Sequence, residues 1–160
     1  MEVTYRSIGV VRSPFTAVEG MPIQPSRAQA AEGSLEIDPE FRAGLKDLDG
    51  FSHILVVCHL HRVTGAELIT VVPFLDTERR GIFATRAPKR PNPISISLLR
   101  IKSVNAGSVQ VLDVDLLDGT PILDIKPYVP EFDARQDARI GWYAQASRKD
   151  EKVVSDKRFS

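Results

Sequence analysis

Three histidines, His53, His59 and His61, have the same parity along the apolar run that ends at His61, so on one extended strand they share a face. Imidazoles in that pattern can hold a metal, but no cysteine or carboxylate at ligand spacing accompanies them, and we expect no metal site. The commoner arrangement is one or two core histidines donating to backbone, with His61 at the strand's end free to meet a ligand. Arg79, Arg80, Arg86, Lys89 and Arg90 form the densest cationic patch. Guanidinium forks suit phosphate or carboxylate, while the plainer reading is a solvated basic loop. There is no GxGxxG after a strand and no GK[ST] loop, so neither a Rossmann nucleotide site nor a P-loop is indicated. A nucleotide-like ligand has to be held by other loops.

Three proline-dense segments could form such loops: Gly20 to Ser26, Arg86 to Pro93, and Asp115 to Pro121. Proline fixes φ and removes a donor, so these loops are rigid and their remaining N–H and C=O groups point in set directions. Rigid loops suit ligand recognition, but they also simply turn corners between strands. Composition leaves both roles open.

The elements that must carry these loops are short β-branched runs. Strands are expected at Val3 to Val11, Gly33 to Ile37, His53 to His61, Leu68 to Val72, Gly81 to Thr85, Ile94 to Val104, Ser108 to Leu116 and Pro121 to Ile125. Asn105-Ala106-Gly107 predicts a hairpin loop with Gly107 able to take positive φ. Apolar positions run Ile94, Ile96, Leu98 and then shift phase to Leu99 and Ile101, and the partner run changes phase after Val111. A phase change on a period-2 strand implies a bulge or a stretch buried on both faces, and matched bulges help a sheet close. A barrel is therefore preferred to a sandwich. Short helices are expected within Pro39 to Leu48 and Gln136 to Ala146.

The 160 residues are enough for one domain. We expect the barrel over 1–135 and a short helix with a charged tail over 136–160. Lysine plus arginine (21) equals aspartate plus glutamate (21), so any nucleic-acid contact must rest on local clusters. No secretory leader or membrane-spanning run is visible. The single cysteine, Cys58, sits in an apolar run as a buried thiol, and the cytoplasm is the expected compartment.

Several linked blocks resemble the signature of the TrmO family of tRNA methyltransferases, in that family's order. They are Ile8 to Phe15 with Gln24-Pro25-Ser26; Gly44 to His53; Gly81 to Arg86 with Arg90-Pro91-Asn92-Pro93; and Asp118-Gly119-Thr120-Pro121 with Asp124-Ile125-Lys126-Pro127-Tyr128. The resemblance covers roughly Tyr5 to Asp133. It implies a mainly β, small closed antiparallel-rich barrel with a few short helices and no Rossmann domain. It also implies a homodimer that binds S-adenosylmethionine near its interface and methylates N6 of threonylcarbamoyladenosine beside the anticodon of tRNA. By the same resemblance the cofactor contacts are Gln24, Pro25, Ser26, His61, Arg62, Arg86, Leu116, Asp118, Gly119 and Thr120. Substrate contacts fall to Arg86, Lys89, Arg90 and Lys126. The urea-like acceptor nitrogen calls for a group that takes its proton, and Asp124, Tyr128 and His61 are the candidates. Two departures are visible: relatives often run on into a longer C-terminal extension, and Ala87 stands where they often have serine. The alternatives left open are a non-catalytic S-adenosylmethionine- or RNA-binding barrel, and a methyltransferase of this fold with another acceptor.

Overall fold

The computed structural model describes residues 1–18, 30–71 and 78–146. Six strands close into a barrel: β1 (Gly9–Arg12), β2 (Glu32–Ile37), β3 (His53–His59), β6 (Ile94–Val104), β7 (Ser108–Leu112) and β8 (Pro121–Pro127). The order around the barrel is β1-β2-β7-β6-β3-β8, with every pairing antiparallel. A two-stranded ribbon of β4 (Ile69–Val71) and β5 (Arg79–Gly81) stands apart from it. Alternation places Val11, Leu35, Ile54, Val56, Leu99, Val109, Val111 and Ile122 inside, each fully buried. Burying an aliphatic side chain of this size stabilises the fold by about 1.5–3 kcal/mol.

Several elements differ from expectation: β1 begins at Gly9 rather than Val3, and others differ for local reasons. The run Gly81 to Thr85 is not a strand beyond Gly81: Ile82–Ala84 is a 3-10 turn, closed by Thr85 N–H and Thr85 Oγ, both of which donate to Ile82 C=O. β7 stops at Leu112 because Asp113 adopts a left-handed conformation (φ 68). Arg100 on β6 holds it there through a bidentate pair with the Asp113 carboxylate, which also depresses the pKa of that carboxylate. Pro39–Leu45 and Leu48–Gly50 are likewise 3-10 turns, and α2 is the single turn Tyr143–Ala146. A further turn, α1 (Pro130–Asp133), follows β8.

The β6–β7 hairpin forms as expected, with Asn105 N–H donating to Ser108 C=O. Gly107, however, does not take positive φ. A Cβ there would lie 2.6 Å from Arg42 Nε, the atom that donates to Ile37 C=O, so a side chain would push the Arg42 head group off that bond. The phase change on β6 also has a structural reason. Ile94, Ile96 and Leu98 point outward and stay exposed, at 36%, 62% and 36%, whereas Ser97 and Leu99 point inward. A register shift follows between Ile101 and Ser103.

Candidate functional site

The antiparallel order brings the carboxyl ends of β1, β3 and β7 and the amino ends of β2, β6 and β8 to one end of the barrel, here called the mouth. His61 and Arg62 follow β3 there. Arg86 to Pro93 leads into β6, and 113–120 joins β7 to β8. Loops, rather than strands, therefore present most of the chemistry, with a rigid barrel positioning them.

The 113–120 loop is pinned to β1 at several points. Ser13 Oγ donates to Leu116 C=O (2.6 Å) and Ser13 N–H to Asp118 Oδ1 (3.2 Å). Gly119 N–H donates to Val11 C=O (2.8 Å), and Thr120 Oγ to Leu117 C=O (2.7 Å). Arg12 Nη1 lies 3.8 Å from Asp118 Oδ2. Leu116 and Thr120 are buried beneath this loop. Gly119 has φ 77 with open space where a Cβ would stand, so the cost of a side chain there is conformational. Gly119→Ala is expected to lower stability by about 1–2 kcal/mol, read as a shift in the denaturant midpoint at unchanged slope. An unchanged midpoint would show that the turn relaxes freely.

Arg62 Nη1 donates to Thr16 C=O (3.1 Å), tying the segment after β3 to the segment after β1. His61 beside it is exposed at the mouth, and its pKa is lowered, first by desolvation and then by the charges of Arg62 and His59. His61 is thus held neutral near pH 7, with a nitrogen able to accept a proton. Unlike His53 and His59, it lies beyond the strand, in a turn. Among the described residues no three potential metal ligands gather.

The basic loop divides into two roles. Arg90 Nη1 donates to the carbonyls of Thr85 (2.9 Å), Ile82 (3.1 Å) and Ala87 (3.4 Å), and so fastens the 3-10 turn and the start of the loop. Its guanidinium also stacks 5.9 Å from the Phe83 ring. Thr85 and Ala87 are buried, while Arg86 between them is exposed. The field of Arg86 reaches Asp115, which places its charge at the mouth. Trp142 docks against the far side of this turn, donating Nε1–H to Ala84 C=O (2.8 Å) with Arg80 5.7 Å from its ring.

The three proton-acceptor candidates are not gathered within one chain. Tyr128 N–H donates to His53 C=O and its ring meets His53 edge-on at 6.3 Å, at the end of β3 opposite the mouth. The six steps from His53 to His59 span about 20 Å at strand rise. Asp124 sits opposite Val57, paired with Lys126 Nζ at 2.7 Å. It lines a cavity of about 420 Å³ with Phe41, Leu45, Phe51 and Pro127, on the side of the 3-10 turns. Gln24, Pro25 and Ser26 lie outside the described residues.

Sequence reasoning passed over three mouth residues. Asp115 is held by Ser97 Oγ, which donates to its Oδ1 at 2.7 Å, and burial raises its acid to about 7 despite that bond and the field of Arg86. Ser97 is 1% exposed. Ser95, two residues earlier on the same inward face and opposite Cys58, has a buried hydroxyl with no hydrogen-bond partner. A carboxylate embedded between Val114 and Leu116 was the available signal. Cys58 itself is fully buried, its thiol pushed up to about 12 by burial and by Asp115, so it stays protonated and inert.

Comparison with known proteins places this geometry in context. The model of the tRNA-methyltransferase O N-terminal domain matches residues 10–134. A probable S-adenosyl-L-methionine-binding protein of Pyrococcus abyssi is 50% identical over 157 residues, covering 98% of this chain and 85% of that protein. The tRNA (adenine(37)-N6)-methyltransferase of Escherichia coli is 36% identical, over 94% of this chain and 68% of its own length. The crystal structure of TrmO from Pseudomonas aeruginosa superimposes with a TM-score of 0.74 at 40% identity, covering 88% of this chain. The chain spans 62% of that crystallised chain.

Proposed function

The chain belongs to the tRNA-methyltransferase O family, and we propose that it transfers a methyl group from S-adenosylmethionine to N6 of a threonylcarbamoylated adenosine beside the anticodon of tRNA. The observation that carries this reading is the convergence at the mouth of the described residues expected to hold the cofactor: His61, Arg62, Arg86, Leu116, Asp118, Gly119 and Thr120. The residues present fit such a ligand. Ser95 keeps a buried hydroxyl without a partner, Asp115 offers a buried carboxylate to a cation, and Arg86 offers a cation to a carboxylate.

Bound S-adenosylmethionine supplies an electrophilic methyl on a sulfonium, and what the protein adds is alignment at near-attack distance. The Ser13 and Val11 bonds hold the 113–120 loop still, and Arg90 fixes the loop that carries Arg86. His61, neutral and at the mouth, is the best-placed residue to take the proton from the acceptor nitrogen. Arg86, Lys89 and Lys126 supply cations for phosphate and for the threonyl carboxylate. The reaction belongs in the cytoplasm, with tRNA as the partner.

A homodimer completes this account. Ile94, Ile96 and Leu98 on β6 stand opposite His59, Val57 and Leu55 on β3, giving an outward apolar stripe. The Asp124–Lys126 pair flanks it, opposite Val57 and Leu55. A two-fold axis running across these strands lays the Tyr128 end of one copy beside the mouth of the other, reuniting candidates that a single chain separates. Ile96→Glu is expected to give a folded monomer by light scattering with transfer largely lost. A variant that remains dimeric would move the interface elsewhere. The function itself is tested by titrating the purified protein with S-adenosylmethionine and then assaying label transfer to bulk tRNA. Binding without transfer would point to a non-catalytic barrel.

A further inference from the structure

Inside the barrel mouth, we propose, Asp115 is the counter-charge for the cationic end of the methyl donor, pairing with its sulfonium or its ammonium; this rests on the methyl-donor reading above. Three surface ion pairs among the described residues have clear local uses. Arg100–Asp113 fixes the end of β7, Arg12–Glu36 bridges the neighbouring strands β1 and β2, and Lys102–Glu32 reaches from β6 across β7 to β2. Asp115 differs from them in place and in partners. It points inward from the loop after β7 and takes a hydroxyl, Ser97 Oγ at 2.7 Å, as its side-chain donor. The groups facing it are that hydroxyl from β6, the protonated Cys58 thiol from β3, and the field of Arg86 from the basic loop.

Such a carboxylate works against folding at neutral pH. With its acid raised from 3.8 to about 7, the folded state holds the proton more tightly than the unfolded chain, so this group's contribution falls as pH rises between those values. An ionised carboxylate buried without full pairing is costly unless a ligand supplies the charge. The unpartnered Ser95 hydroxyl on the same inward face marks the space as one where polar atoms await a ligand. Asp115 also leads directly into Leu116 to Thr120, so a ligand resting on that loop lies within reach of its side chain.

The experiment is calorimetric titration of the protein and of Asp115→Asn with three ligands. S-adenosylmethionine carries both cations, S-adenosylhomocysteine only the ammonium, and 5′-methylthioadenosine neither. At pH 8 the substitution should weaken S-adenosylmethionine at least about tenfold, as expected for a lost charge-assisted bond, and leave 5′-methylthioadenosine unchanged. S-adenosylhomocysteine weakened alongside S-adenosylmethionine identifies the ammonium; S-adenosylhomocysteine unchanged identifies the sulfonium. At about pH 6.5, wild-type protein should release protons on binding S-adenosylmethionine, seen as a dependence of heat on buffer, and the variant should not. Equal weakening of all three ligands, or no weakening, overturns the inference while leaving the methyl-donor reading intact. Wild-type protein that binds none of them removes that reading as well. Should Asp115→Asn not fold, Ser97→Ala keeps the carboxylate but strips its donor. Affinity for S-adenosylmethionine relative to wild type should then fall at about pH 7 and recover by about pH 8, and failure to recover would contradict the pairing.

Discussion

Arg86→Ala is expected to lower methyl transfer by about a hundredfold or more while leaving the thermal midpoint nearly unchanged. Thr85 and Ala87 are buried anchors on either side, so the backbone conformation at 86 is set without its side chain. The carbonyls of this stretch are gathered by Arg90. An exposed cation on such a fixed loop has more to do for a ligand than for packing. Arg90→Ala should show the opposite pattern, losing about 1–3 kcal/mol of stability by abandoning carbonyls that its guanidinium satisfies, with activity falling in proportion to the folded fraction. Measuring kcat/KM and the thermal midpoint of both variants separates the roles. If Arg86→Ala unfolds at much lower temperature while its folded fraction stays fully active, Arg86 is structural.

The second large effect concerns the acceptor. tRNA without the threonylcarbamoyl group is expected to be methylated about 10⁴-fold more slowly than modified tRNA, because a site built to pair a charged or hydrogen-bonding group leaves its own groups unsatisfied when the substrate lacks it. Arg86, Lys89 and Lys126 are the cations offered for the threonyl carboxylate, Lys126 by exchanging its pairing with Asp124, while Arg90 Nη1 serves the carbonyls of its own loop. Matched transcripts with and without enzymatically installed threonylcarbamoyl, assayed at fixed salt, give the ratio. Equal rates would overturn this acceptor while leaving methyl transfer in place.

The barrel was readable from the sequence where period-2 alternation and turn chemistry agree, above all in β6, Asn105 to Gly107 and β7. The apparent strand over Gly81 to Thr85 was misleading because Thr85 can bond back to Ile82, turning a β-branched run into a 3-10 turn. Ile94, Ile96 and Leu98 read as a phase fault, but they are an outward apolar stripe, which alternation alone cannot tell from a bulge. The division between His61 and Tyr128 was invisible because it depends on the direction and register in which β3 pairs with β8. Asp115 was missed because one carboxylate in an apolar stretch carries no spacing pattern. Its meaning comes from Ser97, eighteen residues away and on another strand.

The most direct test of the methyltransferase assignment is nucleoside mass spectrometry. Purified protein is incubated with S-adenosylmethionine bearing a deuterated methyl group and with tRNA carrying threonylcarbamoyladenosine, and the tRNA is then digested to nucleosides. A labelled methyl on N6 of that nucleoside, dependent on Arg86, is the expected result. Intact S-adenosylmethionine binding with no labelled nucleoside from any tRNA would contradict it.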